Sequence, residues 1–307
     1  MYSRKSIQKV HVSRDGLPVE VAFFMACEKL RKLGGGMDYF ITGGAGSFGK
    51  RFTRHIIETT DSNVTIFSRD ELKHFNMKKW LPSDRVKYVV GDVRDRDAVM
   101  RAMPDACFVV HAAALKHVLT GEQQAWEVVK TNVAGTRNVV DAANAHGCIM
   151  VLVSTDKAVE PINLYGATKM CAEKITLQGG QRVARWGNVF GSSGSILHIF
   201  KQQFADGHKF TITDHRMTRF VITFDQAIKI CEDALKTRGG EITVPRLPAM
   251  CITDLAKAFD KDAEFEEIGI QPGEKLAEVL QVSPRYSSDT ADKLSIGEIK
   301  ELIDASF

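Results

Sequence analysis

FITGGAGSFGK, residues 40–50, decides the fold. The apolar run Tyr39-Phe40-Ile41 reads as a short strand. Gly43, Gly46 and Gly49 form a G-x-x-G-x-x-G turn straight after it, and a helix then runs to about Glu58. Glycines there permit a tight turn and let the backbone approach a pyrophosphate, which sits on the helix N-terminus. Gly43, Gly46, Ser47, Phe48 and Gly49 are therefore candidate dinucleotide-binding residues.

Working outward, strands are predicted at Val64–Phe67, Val86–Val90 and Phe108–Val110, then a helix over roughly Ala125–Ala145. A strand opening at Val151, a helix carrying Tyr165 and a strand at Val183–Arg185 follow. Such alternation predicts an α/β chain with a Rossmann-like doubly wound parallel sheet. After Gly187 the order loosens into strand-like pieces at 210–213 and 241–244 and helices near 225–236 and 253–260. These read as a smaller C-terminal substrate-binding lobe. The expected division is a dinucleotide-binding domain over 37–187 and mainly a substrate lobe over 188–307. Residues 1–36 have a different texture, with a helical pattern from Pro18 to Lys32 closed by Gly34-Gly35-Gly36. They read as an N-terminal extension of unknown role.

With 307 residues, 44% hydrophobic and 26% charged, the chain can bury a large core. A net charge of +3 gives no case for nucleic acid, and no apolar run approaches the length of a membrane span. Six cysteines (27, 107, 148, 171, 231, 251) contain no C-x-x-C pair. They read as reduced thiols of a cytoplasmic protein, mostly among apolar neighbours, with no metal site.

The second strand ends in Ser68-Arg69, where an NAD-binding chain would place an acidic residue. A hydroxyl and a guanidinium suit a 2′-phosphate, so NADP is expected rather than NAD. Against this, Asp70 or Glu71 can pair with Arg69. Asp92, before Val93, either accepts from the adenine amino group or caps the next helix. Ala112 and Ala113 let a cofactor pass close to the sheet edge. His111 reads as structural, while Lys116 and His117 can line the site.

VLVSTDKAVEPINLYGATK, residues 151–169, supplies the chemistry. Thr155, Asp156 and Lys157 fall at the carboxyl end of a strand, where open α/β sheets bind ligands. Tyr165 and Lys169 lie one helical turn apart on one face. With a dinucleotide they make a hydride-transfer site, in which Tyr165 takes a hydroxyl proton and a lysine ammonium favours its phenolate. Asp156 and Lys157 add an acid and a base able to remove water from a 4-keto sugar, unless they are a surface ion pair.

These motifs resemble the extended short-chain dehydrogenase/reductase superfamily, and within it UDP-N-acetylglucosamine 4,6-dehydratases of the inverting, pseudaminic-acid-pathway type. The resemblance also rests on SRDELK (68–73), GDVRD (91–95), HAAALKHV (111–118), KTNVAGT (130–136), RWGNVFGSSGS (185–195), RMTRFVIT (216–223), GGEITVP (239–245) and PGEKL (272–276). It implies a soluble lyase with tightly bound NADP, regenerated at each turnover. Thr155, Asp156, Lys157, Tyr165 and Lys169 would be catalytic, Lys157 removing the C5 proton and Asp156 protonating the C6 hydroxyl. Asn188, Arg216 and Arg219 would hold the UDP part, unless they form a surface basic cluster. Lys116 and Glu274 join the expected substrate site. A UDP-sugar is the implied partner and a homo-oligomer the implied assembly, paired through helices near 123–146 and 163–178. The chain departs from the pattern over 119–126 and at Gln271 and Ala277, which bears on sugar choice. The competing readings are a nucleotide-sugar 4-epimerase or 4-keto reductase, which needs no Asp156–Lys157 pair, and a non-catalytic NADP-binding scaffold.

Overall fold

The computed structural model describes residues 38–105 and 107–306. The 1–36 extension, with Cys27, lies outside the described residues. Seven parallel strands form the central sheet: β1 (Tyr39–Thr42), β2 (Val64–Ser68), β3 (Val86–Val90), β4 (Phe108–His111), β5 (Ile149–Thr155), β6 (Arg182–Trp186) and, later in the chain, β10 (Ile242–Thr243). Their order across the sheet is β3-β2-β1-β4-β5-β6-β10. The direction of winding reverses between β1 and β4, which opens a crevice at the carboxyl ends there.

The expected α/β doubly wound sheet is present. β1 and β5 are nearly continuous apolar runs because helices cover both faces. On one face, helices Ser47–Thr59, Glu71–Trp80 and Phe224–Lys236 contribute Phe52, Ile56, Met77 and Ile228 to a core with Ile41 and Ile66. On the other, helices Arg96–Ala102, Gly135–Ala145 and Leu164–Gln178 pack Val99, Val139 and Ala172 against Phe40 and Leu152. Each fully buried large apolar side chain contributes about 1.5–3 kcal/mol.

The strand expected at 241–244 is short, and it joins the large sheet by pairing Ile242 with Val183. The chain thus returns to the first layer after leaving it. The remaining part has its own core around Phe200, Phe220-flanking Val221, Met250, Leu255 and Ile299. Three small sheets frame it, among them β7 (Asn188–Val189) beside β9 (Thr218–Ile222), and β13 (Val279–Gln281) beside β14 (Tyr286–Ser287).

The helix expected over 125–145 is continuous but changes pitch. Lys130–Ala134 is a π-helical segment between Ala125–Val129 and Gly135–Ala145. The wider turn brings Asn132 inward. Its side chain accepts from Leu115 N at 2.8 Å and donates to Leu115 O at 2.9 Å and Thr168 Oγ1 at 3.1 Å. One residue thereby ties the loop after β4 to the helix that carries Tyr165.

The five described cysteines are free. Cys107, Cys148 and Cys231 are buried as expected, but Cys171 is exposed. Among the described residues, no helix is long and apolar enough to cross a membrane, and no His/Cys/Asp/Glu cluster could hold a metal.

Candidate active site

The glycine turn is built by close backbone contact. Gly43 has φ +66°, and a Cβ there would lie 2.8 Å from Ala113 Cα. A Cβ on Gly49 would come within 2.5 Å of Gly44 Cα. Gly46 caps the helix Ser47–Thr59 without a side chain, so the first-turn N–H groups face the crevice. Phe48 packs on Phe52 and Trp186, at 5.6 and 5.4 Å between ring centres, and holds the helix start in place. A backbone cradle on a helix N-terminus fits a dinucleotide pyrophosphate.

At the end of β2, Ser68 Oγ lies 2.6 Å from His74 Nε2. Arg69 is half exposed, and its nearest carboxylate is Asp92 at 3.8 Å. Asp70 is occupied elsewhere: it caps Glu71–Trp80 through Lys73 N at 2.9 Å and pairs with Lys73 Nζ at 3.1 Å. Arg69 is therefore not neutralised by Asp70. Asp92 does not cap the next helix; Asp95 does, accepting from Ala98 N. Asp92 instead holds Arg94, at 2.9 Å to its N and 2.7 Å to its Nε. Burial raises the Asp92 pKa, but bonds from Arg94 and the charge of Arg69 outweigh it, so the carboxylate stays ionised. Val93 is buried beneath it.

His111 is structural, as expected. Its Nδ1 lies 2.6 Å from Thr42 Oγ1 and its Nε2 3.0 Å from Thr136 Oγ1. Thr136 donates onward to Asn132 O, so the proton resides on Nε2. Burial, with the charge of Lys169, pushes its pKa down to about 3. Ala112 and Ala113 are pinned by their N–H groups to Thr42 O and Thr42 Oγ1.

The acid–base residues converge where β5 ends. Thr155 Oγ1 donates to Asp156 Oδ1 at 2.9 Å and accepts from Lys157 N at 3.3 Å, closing a 3-10 turn over Asp156–Ala158. Lys157 Nζ reaches Asp156 Oδ1 at 3.1 Å, Asn188 Oδ1 at 3.2 Å and Glu278 Oε1 at 3.2 Å. Asp156 is 0% exposed, so the pair is not a surface ion pair. Its Oδ2 has no hydrogen-bond partner among the described residues. Burial raises the Asp156 pKa and Glu278 adds to this, against the pull of Lys157. Burial opposes the charge of Lys157, yet Asp156 and Glu278 outweigh it and raise its pKa.

Tyr165 is brought to this cluster by a missing side chain. A Cβ on Gly166 would lie 2.2 Å from Lys157 O, so only glycine lets the helix Leu164–Gln178 seat against the turn. Asn163 caps that helix, accepting from Gly166 N at 2.7 Å. Burial pushes the Tyr165 pKa up to about 12; the charge of Lys157 and the nearby Thr155 hydroxyl pull it back. The cation that favours the phenolate here is Lys157. Lys169 donates to Val153 O at 2.7 Å, and burial lowers its pKa to about 8 against the pull of Glu173.

Beside the cluster lies a pocket of about 170 Å³. Lys157, Asn188, Arg219, Glu274 and Glu278 line it, with Gln271 among the loop residues. Four of these were expected from the sequence; Glu278 was not, because nothing in its local pattern marks it. Lys116 does not line this pocket; it donates to Ser193 O at 2.9 Å, while Ser193 Oγ meets Ser47 Oγ at 2.8 Å. The 191–195 loop therefore leans across the glycine turn. Arg216 departs from expectation. It is held by Asp214 at 2.6 Å, is 72% exposed and does not line the pocket. Asp214 accepts from both its backbone and its side chain and turns it outward.

Comparison with known proteins agrees with this geometry. An inverting UDP-N-acetylglucosamine 4,6-dehydratase of Campylobacter jejuni is 44% identical over 260 residues, 80% of this chain and 77% of that protein. A UDP-glucose 4-epimerase of Rickettsia canadensis is 38% identical over 259 residues, 78% of this chain and 76% of that protein. The X-ray structure of Pen from Bacillus thuringiensis superposes with a TM-score of 0.82 at 31% identity, covering 88% of this chain and 97% of its own. Residues 39–298 match the family described as polysaccharide biosynthesis protein. The chain belongs to this polysaccharide biosynthesis family, on a fold of the extended short-chain dehydrogenase/reductase type.

Proposed function

We propose that the protein is a nucleotide-sugar 4,6-dehydratase that acts on UDP-N-acetylglucosamine, inverts C5 and keeps NADP bound through each turnover. The observation that carries the reading is the buried Asp156–Lys157 pair beside Tyr165, a feature that simple hydride transfer does not require. A dinucleotide held on the glycine turn would supply hydride chemistry, with C4 of the sugar as the donor and C6 as the acceptor. Tyr165 takes the proton of the 4-hydroxyl, with the Thr155 hydroxyl nearby and Lys157 favouring its anion. Lys169 keeps a positive charge beneath the site, on Val153 O. Once C4 is a ketone, the C5 proton is acidic; Lys157 removes it and Asp156 protonates the departing C6 hydroxyl. Reprotonation of C5 from the opposite face by solvent gives inversion, and Tyr165 returns its proton to solvent to close the cycle.

Lys116, Asn188, Arg219 and Glu274 are the residues proposed to hold the UDP-sugar. Gly43, Gly46, Ser47, Phe48, Gly49, Ala112 and Ala113 would cradle the dinucleotide, with Asp92 and Val93 beside the adenine. The choice of NADP rests on Ser68 and Arg69, whose guanidinium is only half covered and lies free of Asp70. Free cysteines support a cytoplasmic location. A homo-oligomer is supported by Leu119, Trp126 and Met170, exposed on the helices 118–145 and 164–178.

A second reading, a 4-epimerase, is favoured by the Rickettsia relatives. The two part on one assay. With UDP-N-acetylglucosamine in deuterated water, a dehydratase gives a product lighter by one water, with a C6 methyl signal and inverted C5. An epimerase gives a product of unchanged mass, and retained C5 would overturn the stereochemical part alone.

A further inference from the structure

Glu278 is the one buried carboxylate in the pocket wall that the steps above do not use. It is 3% exposed and sits just before β13. Its backbone is fixed by Ser288: Glu278 N donates to Ser288 Oγ at 2.9 Å, and Ser288 N donates to Glu278 O at 2.8 Å. Ser288 in turn bonds Thr218 on β9, at 2.8 Å between hydroxyls. The carboxylate is thus held from two strands. Its Oε1 lies 3.2 Å from Lys157 Nζ and its Oε2 3.8 Å from Lys275 Nζ.

An ammonium has three N–H donors. Those of Lys157 serve Asp156 and Asn188 as hydrogen-bond acceptors, and the ammonium forms an ion pair with Glu278 at 3.2 Å. Asn188 and Glu278 come from separate elements, β7 and the lead into β13, and neither can accept a proton cheaply: Asn188 is an amide. Glu278 is surrounded by Lys157, Arg219 and Lys275, which together outweigh its burial and hold its pKa down. Asp156 is the only one of the three whose environment favours the acid form.

Resting on the dehydratase reading, we propose that Glu278 is a positioning residue for water loss: its ion pair, together with the hydrogen bond to Asn188, orients the Lys157 ammonium so that the N–H shared with Asp156 carries the proton that moves. The balance closes. Asp156 carboxylate and Lys157 ammonium become Asp156 acid and Lys157 amine. The amine takes the C5 proton, the acid gives its proton to the departing C6 hydroxyl, and the starting charge state returns. The substrate loses one water.

The groups facing Lys157 are Asp156 on its own turn, Glu278 before β13, Arg219 from β9 and Tyr165 from the helix Leu164–Gln178. Removing the Glu278 charge leaves Asp156 as the one carboxylate that raises the Lys157 pKa. The active pair holds one proton, and the Glu278 charge favours the doubly protonated pair, so the ascending limb of the rate profile for water loss moves to lower pH in Glu278→Gln.

The test uses the full chain loaded with NADP and UDP-N-acetylglucosamine, with three readouts: reduced-nicotinamide absorbance for C4 oxidation, deuterium entry at C5, and water loss by mass. In Glu278→Gln we expect water loss and C5 exchange to fall roughly a hundredfold, at the low end of positioned acid–base catalysis. C4 oxidation should stay close to wild type, and Glu278→Asp should recover part of the loss. A parallel fall in all three readouts, with no shift of the pH limb, would show a merely structural carboxylate and overturn the proposal; so would wild-type water loss. Should Glu278→Gln not fold, Glu278→Asp carries the test, with a loss confined to the last two readouts. A wild-type protein that releases no water overturns the function reading itself, which is a different result from any of these.

Discussion

The glycine turn at 43–49 and the charge cluster around Lys157 sit at the carboxyl ends of one sheet, yet they are made in opposite ways. The turn is local and made of backbone. Its glycines approach Ala113 and Gly44 more closely than any Cβ allows, and its polarity comes from the N–H groups that open a helix. The cluster is non-local and made of side chains. Asp156 and Lys157 come from the turn after β5, Tyr165 from the next helix, Asn188 from β7, Arg219 from β9 and Glu278 from the lead into β13. A turn of the first kind binds; a cluster of the second kind moves protons, because buried charges shift one another's pKa values.

The largest expected effect is at the joint between the two. Gly166→Ala drives a methyl into Lys157 O, a backbone atom that cannot swing aside. Activity should fall more than roughly a hundredfold and stability by about 1–3 kcal/mol, read by turnover and by denaturant midpoint. Dinucleotide affinity should survive, since the glycine turn is untouched. Gly43→Ala makes the converse test. A positive φ of +66° and the Ala113 contact strain it, at a cost of roughly 1–2 kcal/mol, so dinucleotide affinity measured by calorimetry should fall about tenfold. The proton-transfer cluster should keep its pH profile.

These two glycines mark how legible each region was. FITGGAGSFGK reveals its role because strand, turn and helix are consecutive and the constraint is steric. The doubly wound parallel sheet followed from alternation, and the Tyr165–Lys169 face from helical spacing. Glu278 was invisible because its partner stands more than a hundred residues away in sequence, and a lone Glu ahead of a short strand carries no pattern. Arg216 misled for the same reason in reverse: RMTRF does not reveal that Asp214 claims one arginine and leaves Arg219 for the pocket. The helix Ile296–Asp304 was legible and passed over, since Ser295 and Glu298 form a capping box across it.

A smaller effect sharpens the cofactor side. Arg69→Ala should weaken NADP roughly tenfold and leave NAD nearly unchanged, as expected for one charged hydrogen-bonding group, again by calorimetry. The smallest concerns stability. Burial lowers the Lys169 pKa from 10.5 to about 8 in the folded chain. Between those values the unfolded chain binds more protons, so this residue makes stability rise with pH across that window, and the contribution is absent below about pH 8. Lys169→Met should flatten that rise in thermal unfolding measured from neutral to alkaline pH.

The most direct test of the central claim, that the buried Asp156–Lys157 pair performs dehydration apart from the hydride step, is the Lys157→Ala variant loaded with NADP and mixed with UDP-N-acetylglucosamine. The account predicts that reduced-nicotinamide absorbance still appears while no product lighter by one water forms. Water loss at the wild-type rate would contradict it and return the chain to the epimerase reading.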